Sequence, residues 1–320
     1  MDGIFNVNKP VGMTSHDVVA RARRLTRQKR VGHAGTLDPA ASGVLPICLG
    51  QATRVAEYLS ASGKAYRATV RFGVVTDTYD GEGEILRTAP VTLTVEDIAA
   101  ALPTFLGRQL QVPPIYSAIK RAGQPLYKLA RAGAVVTAEA RQVDISALSI
   151  VRWESPDLIV DVECGKGTYI RSLAFDLGER LGPGAHLAGL VRTRSGPFTL
   201  ATSLTLEDLE RALAGETWRD HLYAPDEALL DQRAAILGAA GEARVRTGQP
   251  LRLAPPTAPA SPAGGETILA SGGVPDRAPP MDVPLLRAYA VDGRFLGILR
   301  WEPTQAAWHP YKVLLVEPVD

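Results

Sequence analysis

The hydrophobic pattern of this chain switches between strand spacing and helix spacing with no regular alternation of the two. Residues 65–75 and 158–164 alternate apolar and polar side chains, which is typical of strands. Residues 170–181 instead repeat their apolar side chains at the spacing of one helix face. The steady strand and helix rhythm of a doubly wound parallel fold is missing. The pattern therefore predicts the α+β class with a mainly antiparallel sheet.

Capping residues and apolar spacing predict four further helices. One begins at Thr14 or Ser15, one runs from Thr94 to about Gly107, one spans 126–132, and one runs from Thr205 to about Gly215. The stretch 31–50 is rich in Gly, Pro and small residues, which predicts a loop leading into a buried segment. Near the end, the Asp292-Gly293 pair predicts a hairpin and residues 311–316 predict a final strand. Residues 251–284 contain 8 Pro and 4 Gly, a composition that predicts an exposed insertion or linker.

Basic and acidic segments alternate along the chain, although its formal net charge is only +1. Six of the ten residues 21–30 are Lys or Arg and none is acidic. This basic cluster predicts a surface that faces a polyanion, although a solvated helix face would have the same composition. No apolar run approaches the ~20 residues of a membrane span, and the first ten residues lack the features of a secretory signal. A cytoplasmic location is therefore predicted.

Several kinds of chemistry have no local support in the sequence. It contains no dinucleotide-binding GxGxxG, no P-loop, no HExxH zinc motif and no GxSxG nucleophile elbow. Its five histidines are scattered, and Cys48 and Cys164 have no metal-ligand spacing. The sequence therefore predicts no metal site and no disulfide framework.

Asp38 and Arg171 are the candidates that remain. Asp38 lies in a glycine-containing loop, where backbone can approach a ligand closely, and an aspartate can serve as a nucleophile or cation stabiliser at a glycosidic centre. An Asp-Pro pair is also a common turn. Arg171 falls in the first turn of a predicted helix, where the helix dipole disfavours a cation. A partner carboxylate would explain its position, and a tolerated surface arginine is the alternative.

In these regions the sequence resembles the bacterial TruB-type tRNA pseudouridine synthases. The ordered matches, which extend from Asn8 to about Phe198, are KPVGMTS at 9–15, GHAGTLDP at 32–39, KAY at 64–66, PPIYSAIK at 113–120, GTYIRSL at 167–173, and LVR with RSG at 190–196. The resemblance implies a catalytic domain with a central antiparallel sheet, over 1–235. It also implies a small β-rich, PUA-like RNA-binding domain over 240–320, which contains the Pro/Gly-rich insertion at about 251–284.

The resemblance implies conversion of uridine 55 in the T loop of tRNA to pseudouridine, without a metal or organic cofactor. It implies tRNA as the partner, through its T arm, and a monomer with no obligate protein partner. Asp38 would be the nucleophile, Arg171 would orient it, and Tyr66 would stack on the flipped uracil and assist proton removal. The remaining implied roles are pocket lining by Tyr169 and Leu190, filling of the flipped base's space by His33, loop support by Lys9, and phosphate contacts by Arg21, Arg24 and Lys29.

Two other functions are compatible with parts of this pattern. A non-catalytic tRNA-binding or tRNA-folding protein would have the same basic surface and C-terminal module. An aspartate-dependent phosphohydrolase would use Asp38, but such enzymes carry paired aspartates in DxDx[TV], whereas Asp38 is followed by Pro39 and two alanines. Whether Asp38 attacks the uracil ring at C6 or the ribose at C1′ stays open.

Overall fold

A computed structural model describes residues 1–115, 120–121, 124–125, 139–256, 267–269 and 283–314. The strands are β1 Gly3–Lys9, β2 Val31–His33, β3 Ala41–Leu49, β4 Lys64–Phe72, β5 Val74–Thr76, β6 Ile85–Thr88, β7 Gly107–Gln111, β8 Lys120–Arg121, β9 Gln124–Pro125, β10 Arg141–Glu154, β11 Asp157–Cys164, β12 Ala185–Ser195, β13 Phe198–Thr199, β14 Leu222–Tyr223, β15 Arg233–Leu237, β16 Thr267–Leu269, β17 Leu285–Ala290, β18 Phe295–Glu302 and β19 Ala307–Val313. The α-helices are α1 Ser15–Thr26, α2 Ala56–Ala61, α3 Val95–Ala101, α4 Ile170–Leu181, α5 Leu206–Ala214 and α6 Ala239–Arg246.

A large central sheet carries most of the chain. Its strand order is β14-β1-β3-β12-β4-β11-β10-β7, with β2 paired to β3 and β13 paired to β12 at the side. Every pair of these strands is antiparallel except β3 with β12, which run parallel through Leu190 and Ala41. The predicted α+β class with a mainly antiparallel sheet is confirmed.

Strand β3 corrects the prediction of a loop over 31–50. This stretch forms β2 and β3, and β3 lies between β1 and β12 with nearly all its residues buried. Because both faces of β3 are covered, its sequence lacks the apolar and polar alternation that identifies a strand. Gly43 adopts a φ of +107°, and a side chain there would collide with the backbone of Arg192 on β12. Small residues in this stretch thus serve close strand packing.

Threonine caps define three helices as predicted. Thr14, Thr94 and Thr205 each form a reciprocal capping box with an aspartate three residues later, and these caps begin α1, α3 and α5. The helix predicted from Thr94 to Gly107 continues after α3 as a short 3-10 turn, Leu102–Phe105. The helix predicted at 126–132 lies outside the described residues. Among those described, no helix is long and apolar enough to cross a membrane.

A second sheet of five strands, in the order β16-β15-β17-β18-β19, forms the C-terminal part. The predicted hairpin at Asp292-Gly293 joins β17 to β18. The final strand begins at Ala307, earlier than predicted, because its first residues pair with β18. Parts of the stretch 251–284 also join this sheet: Leu251, only 2% exposed, exchanges two backbone hydrogen bonds of 2.8 Å with Trp308, and β16 pairs with β15. The prediction of an exposed insertion is therefore wrong for Leu251.

The two sheets share a hydrophobic cluster. Ile4 and Leu59 from the first part of the chain belong to the same buried cluster as Leu285 and Ile298 from the second. Lys312 adds polar contacts across the same boundary by donating to the Arg54 carbonyl and pairing with Glu57 at the start of α2. Helix α2 thus joins the C-terminal sheet to the part of the central sheet that carries the cleft described next.

Candidate active site

A cleft of about 710 Å³ opens where several elements of the central sheet meet. Its walls come from the start of α1, the loop 34–40 between β2 and β3, the first residues of β4, the start of α4, and the middle of β12. This loop carries Asp38 and is called the Asp38 loop below. The cleft has room for a nucleotide base, since ligand pockets of drug size occupy about 300–1,000 Å³.

Hydrogen bonds on both sides of Asp38 hold its loop. The Ser15 hydroxyl, at the start of α1, accepts from the Leu37 N–H at 2.9 Å and donates to the Leu37 carbonyl at 3.1 Å. The Pro39 carbonyl accepts from the backbone N–H of Gly12 at 2.8 Å and from Lys9 Nζ at 3.4 Å. The loop backbone is therefore fixed while the Asp38 side chain stays 49% exposed to the cleft.

Arg171 links two carboxylates at the start of α4. Its Nη2 lies 3.0 Å from Oδ2 of Asp38, and its Nη1 lies 3.2 Å from Oδ2 of Asp80 and 3.3 Å from the Thr78 carbonyl. The Arg171 side chain is only 9% exposed. Two anions beside the guanidinium offset the unfavourable dipole field that the first turn of a helix imposes on a cation. The structure thus places Arg171 against Asp38, the kind of partner carboxylate that would explain an arginine in the first turn of a helix. It also places a second carboxylate, Asp80, beside the same guanidinium.

Asp80, the second carboxylate, was not predicted to belong to the site. Its Oδ1 accepts from the Thr78 hydroxyl at 2.6 Å and from the Glu82 N–H at 3.1 Å, which leaves Oδ2 for Arg171. Tyr79 adopts a left-handed φ of 62° and stacks on Phe175 of α4, with ring centroids 4.0 Å apart. This stack holds the turn against the helix that bears Arg171. In the sequence, a role for this turn in the site is indicated only by the net acidic charge of residues 77–100, one of the alternating charged segments.

Arg192 is a further residue to which sequence analysis assigned no role. It is 1% exposed and donates to the Val44 carbonyl at 2.6 Å and the Gly35 carbonyl at 3.0 Å, so one guanidinium ties β12 to β3 and to the Asp38 loop. It also lies close enough to Tyr66 for its positive charge to lower the pKa of that hydroxyl, against the larger raising effect of burial. The motif match at 190–196 contained Arg192, but only tertiary structure shows which loop it supports.

Tyr66, Tyr169 and Leu190 all line the cleft, together with Asp38 and Arg171. Tyr66 is buried on β4, and desolvation raises the pKa of its hydroxyl. Tyr169 precedes α4, and its backbone N–H and carbonyl are bound by the Gln111 side chain at 2.8 and 3.1 Å. The structure therefore places a carboxylate, a guanidinium group and two aromatic side chains around one cleft.

His33 lines the cleft next to the Asp38 loop, whereas Lys9 contacts the backbone of that loop and does not line the cleft. His33 lines the cleft and makes an edge contact with His16, with ring centroids 5.8 Å apart, and burial lowers the pKa of its imidazole. Lys9 is buried; its ammonium donates to the Met13 carbonyl at 2.6 Å and to the Pro10 carbonyl at 3.0 Å, and burial lowers its pKa. Lys9 therefore supports the loop backbone, and His33 faces the ligand space.

The basic cluster of residues 21–30 lies on α1 and the turn after it, outside the cleft. Arg24 and Lys29 are exposed, whereas Arg21 is half-buried and pairs with Glu210 of α5 at 2.7 Å. Two of the three residues expected to contact phosphate thus have their charge open to solvent. Within the described ranges, no group of three or more His, Cys, Asp or Glu side chains has the arrangement of a metal site.

The arrangement suits chemistry by a carboxylate on a bound ligand. The half-exposed Asp38 side chain lines the cleft, a buried arginine fixes its orientation, and the Tyr66 ring provides a surface for stacking. Such a carboxylate can attack an electrophilic carbon or stabilise a cation that develops at a glycosidic centre.

Comparison with known proteins identifies relatives over nearly the whole chain. Residues 23–170 match the family "TruB family pseudouridylate synthase (N terminal domain)", and residues 171–232 match "tRNA pseudouridylate synthase B C-terminal domain". The chain is 44% identical to tRNA pseudouridine synthase B of Burkholderia mallei over 301 residues, covering 94% of this chain and 93% of that protein. It is 42% identical to the protein of the same name from Dehalococcoides mccartyi over 316 residues, covering 98% and 97%.

Solved structures share the fold. A crystal structure of a Cbf5-Nop10-Gar1 complex matches with a TM-score of 0.69 and 28% identity, covering 93% of this chain and 78% of that one. An H/ACA RNP bound to a substrate RNA containing 2′-deoxyuridine matches with a TM-score of 0.70 and 24% identity, covering 98% and 85%. The second likeness shows the fold alone.

Proposed function

The chain belongs to the TruB family of pseudouridylate synthases, and on that premise we propose that it isomerises uridine to pseudouridine at position 55 in the T loop of tRNA. The observation that carries this proposal is the Asp38 carboxylate, which faces the cleft and lies 3.0 Å from the buried Arg171. We propose that it does so as a cytoplasmic monomer. The isomerisation has no net redox change and needs no group donor, so it is also proposed to need no metal or organic cofactor.

The reaction breaks the bond between ribose C1′ and uracil N1, turns the base, and joins C1′ to uracil C5. The C5 hydrogen leaves as a proton and N1, which has lost its bond to C1′, takes up a proton, so atoms and electrons balance without another reactant. A base inside a folded loop must first leave its stack, which costs a few kcal/mol that contacts in the pocket offset. The cleft around Asp38 has a suitable volume for an extruded nucleotide.

Each cleft residue has a proposed part in this reaction. Asp38 is the nucleophile, Arg171 orients it, and Tyr66 stacks on the flipped uracil and assists proton removal at C5. Tyr169 and Leu190 complete the pocket. His33 occupies the space that the flipped base leaves in the loop, and Lys9 supports the Asp38 loop from beneath.

The C-terminal sheet is proposed to be a PUA-like RNA-binding domain. The catalytic domain is proposed to span 1–235 and the C-terminal domain 240–320. Strand β15, Arg233–Leu237, pairs with β17 of the second sheet and contains the end of the first range. The Pro/Gly-rich stretch at about 251–284 belongs to the second domain, because Leu251 and β16 both pair within its sheet.

The basic cluster on α1 is proposed to contact tRNA phosphates. We expect the triple change of Arg21, Arg24 and Lys29 to alanine to weaken tRNA binding and to reduce the salt slope, log Kd against log salt, by about 0.9 per lost phosphate contact. Arg21 contributes least because Glu210 already neutralises it. Binding titrations at three or more salt concentrations measure the slope. An unchanged slope would remove the cluster from the interface.

The function is tested with tRNA that carries uridine tritiated at C5. The native protein should release about one tritium per tRNA, and changing the T-loop target uridine to cytidine should abolish that release, because a single ring C–H is replaced by the new C–C bond. The alternative, a tRNA-binding or tRNA-folding protein without catalysis, would bind the same tRNA and release none. Release that persists in the cytidine variant would place the reaction at another uridine.

A further inference from the structure

Lys64 occupies the cleft but has no part in the function proposed above. It lies on β4 two residues before Tyr66, so both side chains project from the same face of the sheet, and both line the cleft. Its side chain reaches beneath the Asp38 loop: a Cβ added at Gly35 would lie 3.5 Å from Lys64 Cε and 3.4 Å from Nη1 of Arg192. The ammonium is therefore inside the site rather than at its rim.

The hydrogen bonds of Lys64 use two of the three N–H donors of its ammonium group. Nζ donates to the Ser60 carbonyl at 2.9 Å and to the Ser62 carbonyl at 2.7 Å, around the end of α2. An ammonium has three N–H donors. The parts of the chain that the structure describes supply no acceptor for the third. Two fixed bonds to backbone hold the nitrogen in place, while the third hydrogen remains available to a ligand.

The charge of Lys64 is also uncompensated. The residue is 7% exposed, and the ionisable groups around it are the guanidinium groups of Arg192 and Arg194, the Lys166 ammonium and the Cys164 thiol. Two carboxylates lie in the vicinity and each pairs with an arginine: Glu163 of β11, opposite Ala65, lies 3.0 Å from Arg194, and Asp38, in the same cleft, lies 3.0 Å from Arg171. Burial and these cations lower the pKa of Lys64 to about 8. Bonds to neutral carbonyls do not cancel a buried charge, which is costly without an anion.

The reaction itself produces the missing anion. If the C1′–N1 bond breaks first, its electron pair stays on the uracil ring, spread over N1, O2 and O4, while Asp38 meets the positive charge at C1′. If Asp38 adds to C6 instead, the pair of the C5–C6 double bond moves into the ring and O4 becomes negative. In both routes a uracil carbonyl oxygen gains charge, and a fixed donor aimed at that oxygen lowers the barrier.

We propose that Lys64 is a catalytic residue that donates its third N–H to a carbonyl oxygen of the flipped uracil and stabilises the negative charge that develops there. This inference rests on the proposed function. The proton stays on Lys64 throughout, so the step adds no reagent. Since Tyr66 stacks on the uracil from the same strand face, the base and the ammonium meet in the same part of the cleft.

The first test compares Lys64→Met with Lys166→Met. Methionine keeps much of the lysine's length without its charge, and Lys166 is an exposed lysine close to Lys64 in space. At pH 7 we expect Lys64→Met to lower the single-turnover rate about 10²-fold with tRNA affinity within about threefold, as for the loss of one oxyanion donor. Lys166→Met should keep the native rate. An unchanged rate in Lys64→Met would overturn the proposal.

The pH dependence of the native single-turnover rate distinguishes a catalytic role of Lys64 from a structural one. It is measured on the native protein, so it does not depend on the stability of any variant. The native single-turnover rate should fall as pH rises through about 8, because deprotonation removes the charge. Lys64→Arg carries a guanidinium that stays protonated, so its rate, even if lower, should not fall in that range. A native rate that stays flat to pH 9.5, or an identical fall in Lys64→Arg, would contradict the assignment.

A substituted base identifies which anion Lys64 meets. Fluorine at C5 helps the uracil ring to carry negative charge, so Lys64→Met should lose less rate on 5-fluorouridine tRNA than on uridine tRNA, measured as loss of the original nucleoside by mass spectrometry. Equal losses of rate on both tRNAs would mean that Lys64 does not act on charge in the uracil ring. Weaker tRNA binding with a shallower salt slope and a native rate would assign Lys64 to a phosphate. Either result would overturn the proposal. If the native protein released no tritium at all, the proposed function would fail first.

Discussion

Changing Arg171 to lysine slows pseudouridine formation about 10²-fold or more under single-turnover conditions, while tRNA affinity stays within about threefold. The arginine uses two nitrogens for two carboxylates, at 3.0 Å to Asp38 and 3.2 Å to Asp80. Lysine has one nitrogen on a flexible stem and cannot hold both at these positions. The positive charge remains, so the expected loss comes from the orientation of the Asp38 carboxylate.

Rapid mixing of excess protein with tRNA measures the chemical step, and equilibrium binding measures affinity separately. Arg180→Lys is the matched control, since Arg180 lies on the same helix α4 with its side chain exposed. It should leave both quantities unchanged. Asp80→Asn keeps the size of the second carboxylate but removes its charge, and we expect a smaller loss than in Arg171→Lys because the bond to Asp38 survives. A native single-turnover rate in Arg171→Lys would remove Arg171 from the mechanism.

Local sequence signals predicted the parts of the fold that depend on local contacts. The three threonine caps and the Asp292-Gly293 hairpin were identified because each is a short-range hydrogen-bonding pattern. Strand β3 was missed because burial on both faces removes alternation from its sequence. Part of the Pro-rich stretch was misjudged as exposed because composition gives no information on Leu251, which pairs with Trp308 across the second sheet.

The site was predictable where one residue carries the chemistry and unpredictable where distant residues cooperate. Asp38 and Arg171 could be singled out by their local settings, a glycine-containing loop and the first turn of a helix. Asp80 and Arg192 could not, because their importance lies in contacts to residues about ninety and more than a hundred and forty positions away. Lys64 was present in a matched motif, but its spare donor and uncompensated charge appear only in three dimensions.

Three buried cations around the Asp38 loop make the electrostatic potential of the site more positive. Lys9 and Arg192 support the loop through backbone carbonyls, and Lys64 lies beneath Gly35. The desolvated site therefore favours anionic ligands and developing negative charge before any substrate contact is considered. This electrostatic setting agrees with an RNA substrate and with charge that moves onto the uracil ring during the reaction.

Of the substitutions proposed, Asp38→Asn is expected to lower the single-turnover rate most. The amide keeps the shape of the side chain but is a poor nucleophile, and it gives up the ion pair with Arg171. We expect the single-turnover rate to fall about 10⁴-fold or more, the scale seen when a covalent nucleophile is removed. Affinity for tRNA should change little, because the carboxylate does not attract phosphate.

Asp161→Asn is the matched control for this change. Asp161 is also a carboxylate bound to an arginine, Arg67, at 2.8 Å, and Arg67 projects from the face of β4 opposite to Tyr66. Its replacement should leave the reaction rate unaltered, so a loss confined to Asp38→Asn cannot be ascribed to removal of any paired acid.

The decisive measurement is mass spectrometry of T-arm fragments after a chemical reagent has tagged pseudouridine. Transfer RNA incubated with native protein should carry the tagged nucleoside at the T-loop position, and tRNA incubated for the same short time with Asp38→Asn should retain uridine there. Equal amounts of tagged product from both proteins would contradict the assignment of bond cleavage to this side chain.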